Sequence, residues 1–256
     1  MKYNEQHVIA TIGPESGDIQ SLKEAGMTMA RLNMSHGTQS AHRGYAEMIQ
    51  ATHTPIIVDL AGPRNTTSQG SHAFDQNQEA ITSKDLHDIT FGVSLNASWF
   101  ALSYVSHPEH ILRLRREIRQ TGGDQKVMAK IERKEALQNL EDIIDASDAI
   151  LIGRGDLGNA LGLAELPKAT LHIVTACRKH QTPVIIGTEI LESMRIQETP
   201  TRAEANDAWM HGYIGATGIL LSAETAIGDH PKKAVQWASS LFTQGRNDRK
   251  QEPNLP

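Results

Sequence analysis

Eight short apolar runs, each followed by a segment of helical periodicity, constrain this chain more than any other feature. The runs occupy residues 7–12, 27–32, 55–59, 98–105, 126–131, 149–152, 182–187 and 218–222. Residues 19–25, 41–52, 84–91, 109–120, 137–144, 166–180, 202–210 and 232–242 repeat apolar side chains at helical spacing. Several of these carry start signals, such as Ser83 ahead of the third and Thr201 with Glu204 three residues on, a capping-box spacing. Strand-then-helix alternation builds parallel sheets with crossover helices, and eight repeats in a 256-residue chain suit closure into a barrel. The fold class is therefore α/β, a single TIM (β/α)8 barrel over residues 1–245. Two stretches break the rhythm. Residues 64–81 are polar and aperiodic, which predicts a long mobile loop overhanging the end of the third strand. Residues 246–256 are polar and end in proline, which predicts a flexible tail.

Composition narrows the function classes. At 39% hydrophobic but only 4% aromatic, the core must be filled mainly by aliphatic side chains. A net charge of −5 argues against nucleic acid or an acidic membrane as partner. The N-terminus lacks the apolar core of a signal peptide and no apolar run is long enough to span a bilayer, so a cytoplasmic protein is expected. The single cysteine, Cys177, falls within a helical pattern and reads as a packed thiol. Twelve histidines show no His-x-His or His-x-x-x-His spacing that suggests a metal site.

In such barrels chemistry collects where strands run out into the following loops. Arg31, Asn33, Ser35, Asp59, Lys130, Glu132, Asp156, Thr188 and Ser222 all sit there. Lys130 and Glu132 lie two apart on an extended run, so they project to the same side. Asp156 follows the next run in a glycine-bracketed turn, Gly153-Arg154-Gly155-Asp156-Leu157-Gly158, whose backbone N–H groups can face an anion. One cation and two carboxylates on successive strand ends make an oxygen-ligand Mg²⁺ (or Mn²⁺) site. A surface Lys–Glu pair beside an ordinary Gly-Asp turn accounts for the same residues, and spacing alone does not choose between the two.

Seven stretches, in order, resemble the catalytic barrel of pyruvate kinase: Thr11-Ile12-Gly13-Pro14, Ala30-Arg31-Leu32-Asn33-Met34-Ser35-His36-Gly37, Lys130-Ile131-Glu132, the glycine-rich turn above, Leu191-Glu192-Ser193-Met194, Pro200-Thr201-Arg202-Ala203-Glu204, and Leu221-Ser222-Ala223-Glu224-Thr225-Ala226. The resemblance implies that Glu132 and Asp156 hold the divalent metal. It implies that Lys130 sits at the transferring phosphoryl group and the enolate oxygen, and that Arg31 contacts the phosphoryl group. The backbone N–H groups of Gly155 and Asp156, with the Thr188 hydroxyl, would receive the substrate carboxylate. Asn33, Ser35 and Asp59 match the residues that ligate a monovalent cation, normally K⁺. Late barrel helices help form the family's subunit interface, so Trp209 and Trp237 are candidate anchors of a homo-oligomer, or shields for exposed barrel flank.

The departures from that pattern are equally specific. Residues 64–81 stand where the family inserts a lid domain, and the sequence stops soon after the eighth helix, where the family continues into a regulatory domain. Asp59-Leu60-Ala61-Gly62-Pro63-Arg64-Asn65-Thr66 replaces the family's Asp-Thr-Lys-Gly-Pro-Glu-Ile-Arg, so two phosphate-side cations become Ala61 and Thr66. Arg64 can supply the charge that K⁺ otherwise gives. Glu189 replaces a glutamine beside the carboxylate site. The 2-oxo-acid half of the site is thus complete while the nucleotide half is thinned. Three readings follow: a Mg²⁺-dependent enzyme stabilising the enolate of pyruvate, phosphoenolpyruvate or a related 2-oxo acid, as a phosphotransferase or a derived lyase, decarboxylase or aldolase; a minimal pyruvate kinase; or a non-catalytic 2-oxo-acid-binding or partner-subunit barrel.

Overall fold

The computed structural model describes residues 1–66, 72–77 and 79–251. In chain order, β1 (His7–Thr11) leads through α1 (Ile19–Glu24) to β2 (Met29–Asn33), and α2 (Gln39–Ala51) leads to β3 (Ile56–Leu60). A hairpin of β4 (Arg64–Thr66) and β5 (His72–Phe74) precedes α3 (Ser83–Ser94) and β6 (Trp99–Leu102). Next come α4 (Pro108–Gln120), β7 (Lys126–Ile131), α5 (Leu140–Ala146) and β8 (Ala149–Gly153). Two helices, α6 (Arg154–Leu161) and α7 (Leu166–Lys179), stand before β9 (Val184–Gly187). Then follow α8 (Arg202–Tyr213), β10 (Gly218–Leu221), α9 (Ala223–Ala226) and α10 (Pro231–Gln251).

Eight of these strands close into a parallel barrel in the order β1-β2-β3-β6-β7-β8-β9-β10, with His7 of β1 in register with Gly218 of β10. The strand period of two sorts the side chains into two layers. Ile9, Met29, Ile57, Met128, Leu151, Ile185 and Leu220 fill the barrel interior. Their neighbours, including Val8, Ala30, Val58, Phe100, Ile150 and Ile186, pack outward against the helices. Trp99 is the one aromatic ring of the interior cluster, so aliphatic side chains do most of the filling, as the composition requires. Each fully buried Ile, Leu or Met stabilises the fold by about 1.5–3 kcal/mol relative to its exposed state. Met27, Met29 and Met34 are buried in these layers, and Cys177 is a buried free thiol whose pKa burial pushes up.

Each apolar run contains one barrel strand. The differences lie at the edges. The 98–105 run stops being strand at Leu102, because Tyr104 adopts a positive φ of 57°. The third helix is capped by Thr82, not Ser83, in a box closed by Asp85; Thr201 and Glu204 form the second box as their spacing predicts. Such caps contribute about 1 kcal/mol each. The glycine-rich turn after β8 is the first turn of a helix, α6. Residues 64–81 are not one aperiodic loop, since they contain the β4–β5 hairpin; residues 67–71 and 78 of that stretch lie outside the described residues. The barrel does not end at residue 245: α10 continues to Gln251, because polar side chains of its last turns bond back to α8 and the turn after it. Trp209 Nε1 donates to Asp248 (2.9 Å), Arg246 to the Ala216 carbonyl (2.7 Å) and Arg249 to the Tyr213 carbonyl (2.7 Å). The rest of the predicted tail, 252–256, lies outside the described residues. Among the described residues no helix is long and apolar enough to cross a membrane.

Candidate active site

The parallel strands deliver their last residues to one face of the barrel, and register decides which side chains meet there. Asn33 of β2 is the register partner of Asp59 on β3. Arg31 Nε donates to Asp59 Oδ2 at 2.7 Å, and Lys130 Nζ stands 3.2 Å from Asp59 Oδ1. Lys130 also lies 3.1 Å from Glu132 Oε1 and donates to Ser103 Oγ at 2.8 Å. The same-side projection of Lys130 and Glu132 is therefore realised, with Asp59 added from a strand the spacing could not connect. All four charged groups are buried. Burial pushes the Asp59 carboxyl up, but Lys130 and Arg31 outweigh it and hold it below the usual carboxylate range. Glu132 goes the other way. Burial raises its pKa, the Asp156 and Asp59 carboxylates add to the rise, and Lys130 offsets only part of it.

Tyr104 joins the two candidate metal carboxylates. Its backbone N–H donates to Glu132 Oε2 (2.9 Å) and its hydroxyl to Asp156 Oδ2 (3.3 Å). Gly153 makes room for this arrangement, since a Cβ there would come 2.5 Å from Glu132 Oε1. Arg64 lies over the Tyr104 ring at 5.1 Å, donates to the Ala61 carbonyl at 2.6 Å and reaches Ser103 Oγ at 3.3 Å. Lys130 and Arg64 thus share one serine hydroxyl. The hairpin is pinned at the same place: Phe74 packs on Tyr104 with ring centroids 5.1 Å apart, and Arg133 covers Phe74 at 3.6 Å.

Thr188 follows β9 with φ 76° and Glu189 with φ 53°, a left-handed pair that is unusual for residues with a Cβ, most of all for β-branched Thr188. Arg154, at the start of α6, holds that pair. Its guanidinium donates to the carbonyls of Gly187 (3.3 Å), Thr188 (2.7 Å) and Glu189 (3.0 Å) and pairs with Asp207 at 2.6 Å. Asp207 in turn lies 3.2 Å from His211, whose pKa burial lowers. Gly155 admits Thr188 against the start of α6, where a Cβ would approach the Thr188 methyl to 2.9 Å. Sequence reasoning missed Arg154, Ser103 and Tyr104. Only Arg154 lies in a stretch that spacing singled out.

Other candidates are placed as follows. Asn33 Oδ1 accepts from the Ser35 backbone N–H at 3.2 Å, and both Asp59 oxygens face cationic side chains. Ser222 lines the cleft, while Glu224 is buried and accepts from the backbone of Leu191 and Ser222, a contact within the barrel rim. His42 is buried in α2, with Nε2 2.8 Å from the His36 carbonyl. Trp209 stacks on Tyr213 and Trp237 is 39% exposed.

Two cavities meet at Arg31. One of about 120 Å³ is lined by Arg31, Asp59, Arg64, Lys130, Glu132 and Asp156, among others. The second, about 520 Å³, opens between the ends of β1, β2 and β10, with Pro14, His36, Tyr45 and Ile227 in its walls; it shares Arg31 and Ser222 with the first. In the small cleft three cationic side chains, Arg31, Arg64 and Lys130, stand among three carboxyl groups, those of Asp59, Glu132 and Asp156. A hard dication fits Glu132 and Asp156. It takes oxygen donors, and its charge would offset the burial and the neighbouring carboxylates that raise Glu132. Among the described residues no group of three or more His, Cys, Asp or Glu side chains converges as a metal cage.

Comparison with known proteins bears on the same face. The family described as "Pyruvate kinase, barrel domain" matches residues 68–235. The chain is 39% identical to a pyruvate kinase of Thermotoga maritima over 76% of its own length and 42% of the relative's. It is 40% identical to pyruvate kinase isozyme G, chloroplastic, of Ricinus communis over 71% of its length and 43% of the relative's. With the corresponding isozyme of Nicotiana tabacum it is 29% identical over 318 positions, 90% of this chain and 57% of the relative. That alignment has more positions than this chain has residues, so the tobacco protein carries internal sequence with no counterpart here. The chain spans about two-fifths to three-fifths of the length of these relatives.

Proposed function

The chain belongs to the pyruvate kinase family, and from that premise we propose that it stabilises the enolate of pyruvate, or binds phosphoenolpyruvate or a related 2-oxo acid, in a Mg²⁺-dependent way. One observation carries the reading: Lys130 is held at 3.1–3.2 Å from both Glu132 and Asp59 in a cleft that also gathers Arg31, Arg64 and Asp156. A dication added beside these cationic side chains suits an anionic ligand. When bound, Mg²⁺ supplies Lewis-acid polarisation of the 2-oxo and carboxylate oxygens. The chain's own residues do the rest. The first turn of α6 offers the Gly155 and Asp156 N–H groups to the substrate carboxylate, and the Thr188 hydroxyl adds a third donor. Lys130 places its ammonium beside the enolate oxygen, where negative charge develops. Arg31 and Arg64 face the anionic group on the other side.

A second reading, phosphoryl transfer to a nucleoside diphosphate, is favoured by the adjoining cavity of about 520 Å³, which is large enough for a nucleotide and reaches Arg31. The lyase, decarboxylase and aldolase alternatives gain no support from the relatives. Two assays separate the readings. Exchange of the pyruvate methyl protons in D₂O with Mg²⁺ tests enolate stabilisation. Coupled assay with phosphoenolpyruvate, ADP and Mg²⁺ tests transfer. Lys130→Met is expected to lower the exchange rate by about 10²–10³, the scale of losing one preorganised charge at a developing oxyanion, while oxalate still binds. An unchanged exchange rate removes Lys130 from the mechanism.

A further inference from the structure

At the end of the barrel opposite the metal cleft, a cationic cavity of about 150 Å³ is enclosed by Tyr3, by Gly212 and Gly215 at the end of α8, and by Arg246, Arg249 and Lys250 of α10. Its volume is several times the ~30 Å³ that a water occupies in the liquid, enough for a tetrahedral oxyanion. Among the described residues the two arginines bond to neutral groups: Arg246 to the carbonyls of Ala216 (2.7 Å) and Asn4 (3.5 Å), Arg249 to the carbonyl of Tyr213 (2.7 Å). The titratable groups facing Arg249 are Arg178, Tyr3 and Tyr213, and Arg246 faces Tyr3 and, more distantly, His7. Among the described residues no carboxylate stands opposite either guanidinium. This is unusual on a chain whose net charge is −5.

The backbone is shaped to hold these side chains. Gly215, at φ 98°, lies under Arg249, and a Cβ there would come 3.3 Å from Nε; a Cβ on Gly212 would sit 3.3 Å from Arg246 Cγ and 2.3 Å from the Phe242 carbonyl. A guanidinium carries five N–H donors in a fixed fork, and the carbonyls above use few of them. We propose that this cavity is a binding site for a phosphate-class oxyanion, inorganic phosphate or the terminal group of a phosphomonoester, gripped by Arg246 and Arg249 with Lys250 as a further charge and the Tyr3 hydroxyl as a donor. The site lies apart from the cleft and does not rest on the function proposed for it.

Calorimetric titration with inorganic phosphate, at constant ionic strength and with EDTA in place of Mg²⁺, tests the assignment. The wild-type chain is expected to bind one phosphate saturably, and Arg249→Gln to weaken it at least tenfold. Lys250→Gln removes a cation whose ammonium makes no hydrogen bond among the described residues, and is expected to weaken binding severalfold with an unchanged melting temperature. Lys130→Met, which empties the opposite cleft of its lysine, should leave the isotherm as it was. A parallel titration with glycerol phosphate identifies the source: tighter binding than phosphate assigns an ester, weaker binding the free ion. No saturable binding up to tens of millimolar, undiminished binding in both Arg249→Gln and Lys250→Gln, or loss of binding in Lys130→Met would each overturn the proposal.

Discussion

Tyr104 contacts one carboxylate of the cleft through its backbone and the other through its side chain, and nothing in the local sequence announces it. It sits near the end of the 98–105 run, yet φ 57° turns its N–H toward Glu132 and its hydroxyl toward Asp156. Period-two geometry was enough to put Lys130 beside Glu132. It could not put Asp59 between Lys130 and Arg31, because that contact depends on how strands far apart in sequence come into register. Tyr104→Phe keeps the backbone bond and removes the hydroxyl, so divalent-metal affinity is expected to fall about 10- to 100-fold, the usual effect of losing a partner that orients a metal ligand. Mn²⁺ titration by electron paramagnetic resonance measures it, and an unchanged Kd would assign the hydroxyl no role. Glu132 gives a pH prediction of definite sign. Its folded pKa is raised, so the stability it contributes is present at low pH and lost as pH climbs past the ordinary carboxylate range through the raised value. In metal-free buffer the wild-type melting temperature should therefore drop, relative to Glu132→Gln, as pH rises, and added Mg²⁺ should close that gap. Parallel melting curves at all pH values would show that Glu132 does not titrate as described.

Two elements were hidden from the sequence for opposite reasons. Helix α6 begins on Arg154, but Gly153, Gly155 and Gly158 give it the local signature of a turn. The glycines are there for close approach, to Glu132 from Gly153 and to Thr188 from Gly155. The β4–β5 hairpin has no alternating apolar pattern, and among its described side chains Phe74 is held between the Tyr104 ring and Arg133. The first element carries the clamp on the left-handed 188–189 segment. Arg154→Lys cannot reach three carbonyls and Asp207 with one ammonium. It is expected to cost about 1.5–3 kcal/mol of local stability, seen as faster amide exchange over residues 187–190 and weaker oxalate binding, with exchange in β1–β3 unaltered. For the second, Phe74→Ala should speed amide exchange at 64–66 and 72–74 while the barrel strands keep their protection. Unchanged exchange at the hairpin would mean that the stacked rings do not hold it.

At the scale of the whole molecule the barrel was the most legible feature. Eight strand–helix repeats leave few topologies, and parallel closure is the one that buries both faces of every strand. The end of α10 was not legible, since its last turns read as a polar tail; they are helical because Arg246, Asp248 and Arg249 bond across to α8 and its following turn. The two ends of the barrel differ in charge. One gathers cations and carboxylates around a cleft of about 120 Å³, and the other gathers cations. The central claim is that Glu132 and Asp156 together hold a divalent ion at the first of these ends. Water-proton relaxation of the chain titrated with Mn²⁺, before and after oxalate, addresses it most directly. The wild-type chain should bind one Mn²⁺ whose relaxation enhancement changes on adding oxalate, and Glu132→Gln and Asp156→Asn should each lose that signal while remaining folded. Mn²⁺ bound equally well by both variants, or with no response to oxalate, would contradict the account.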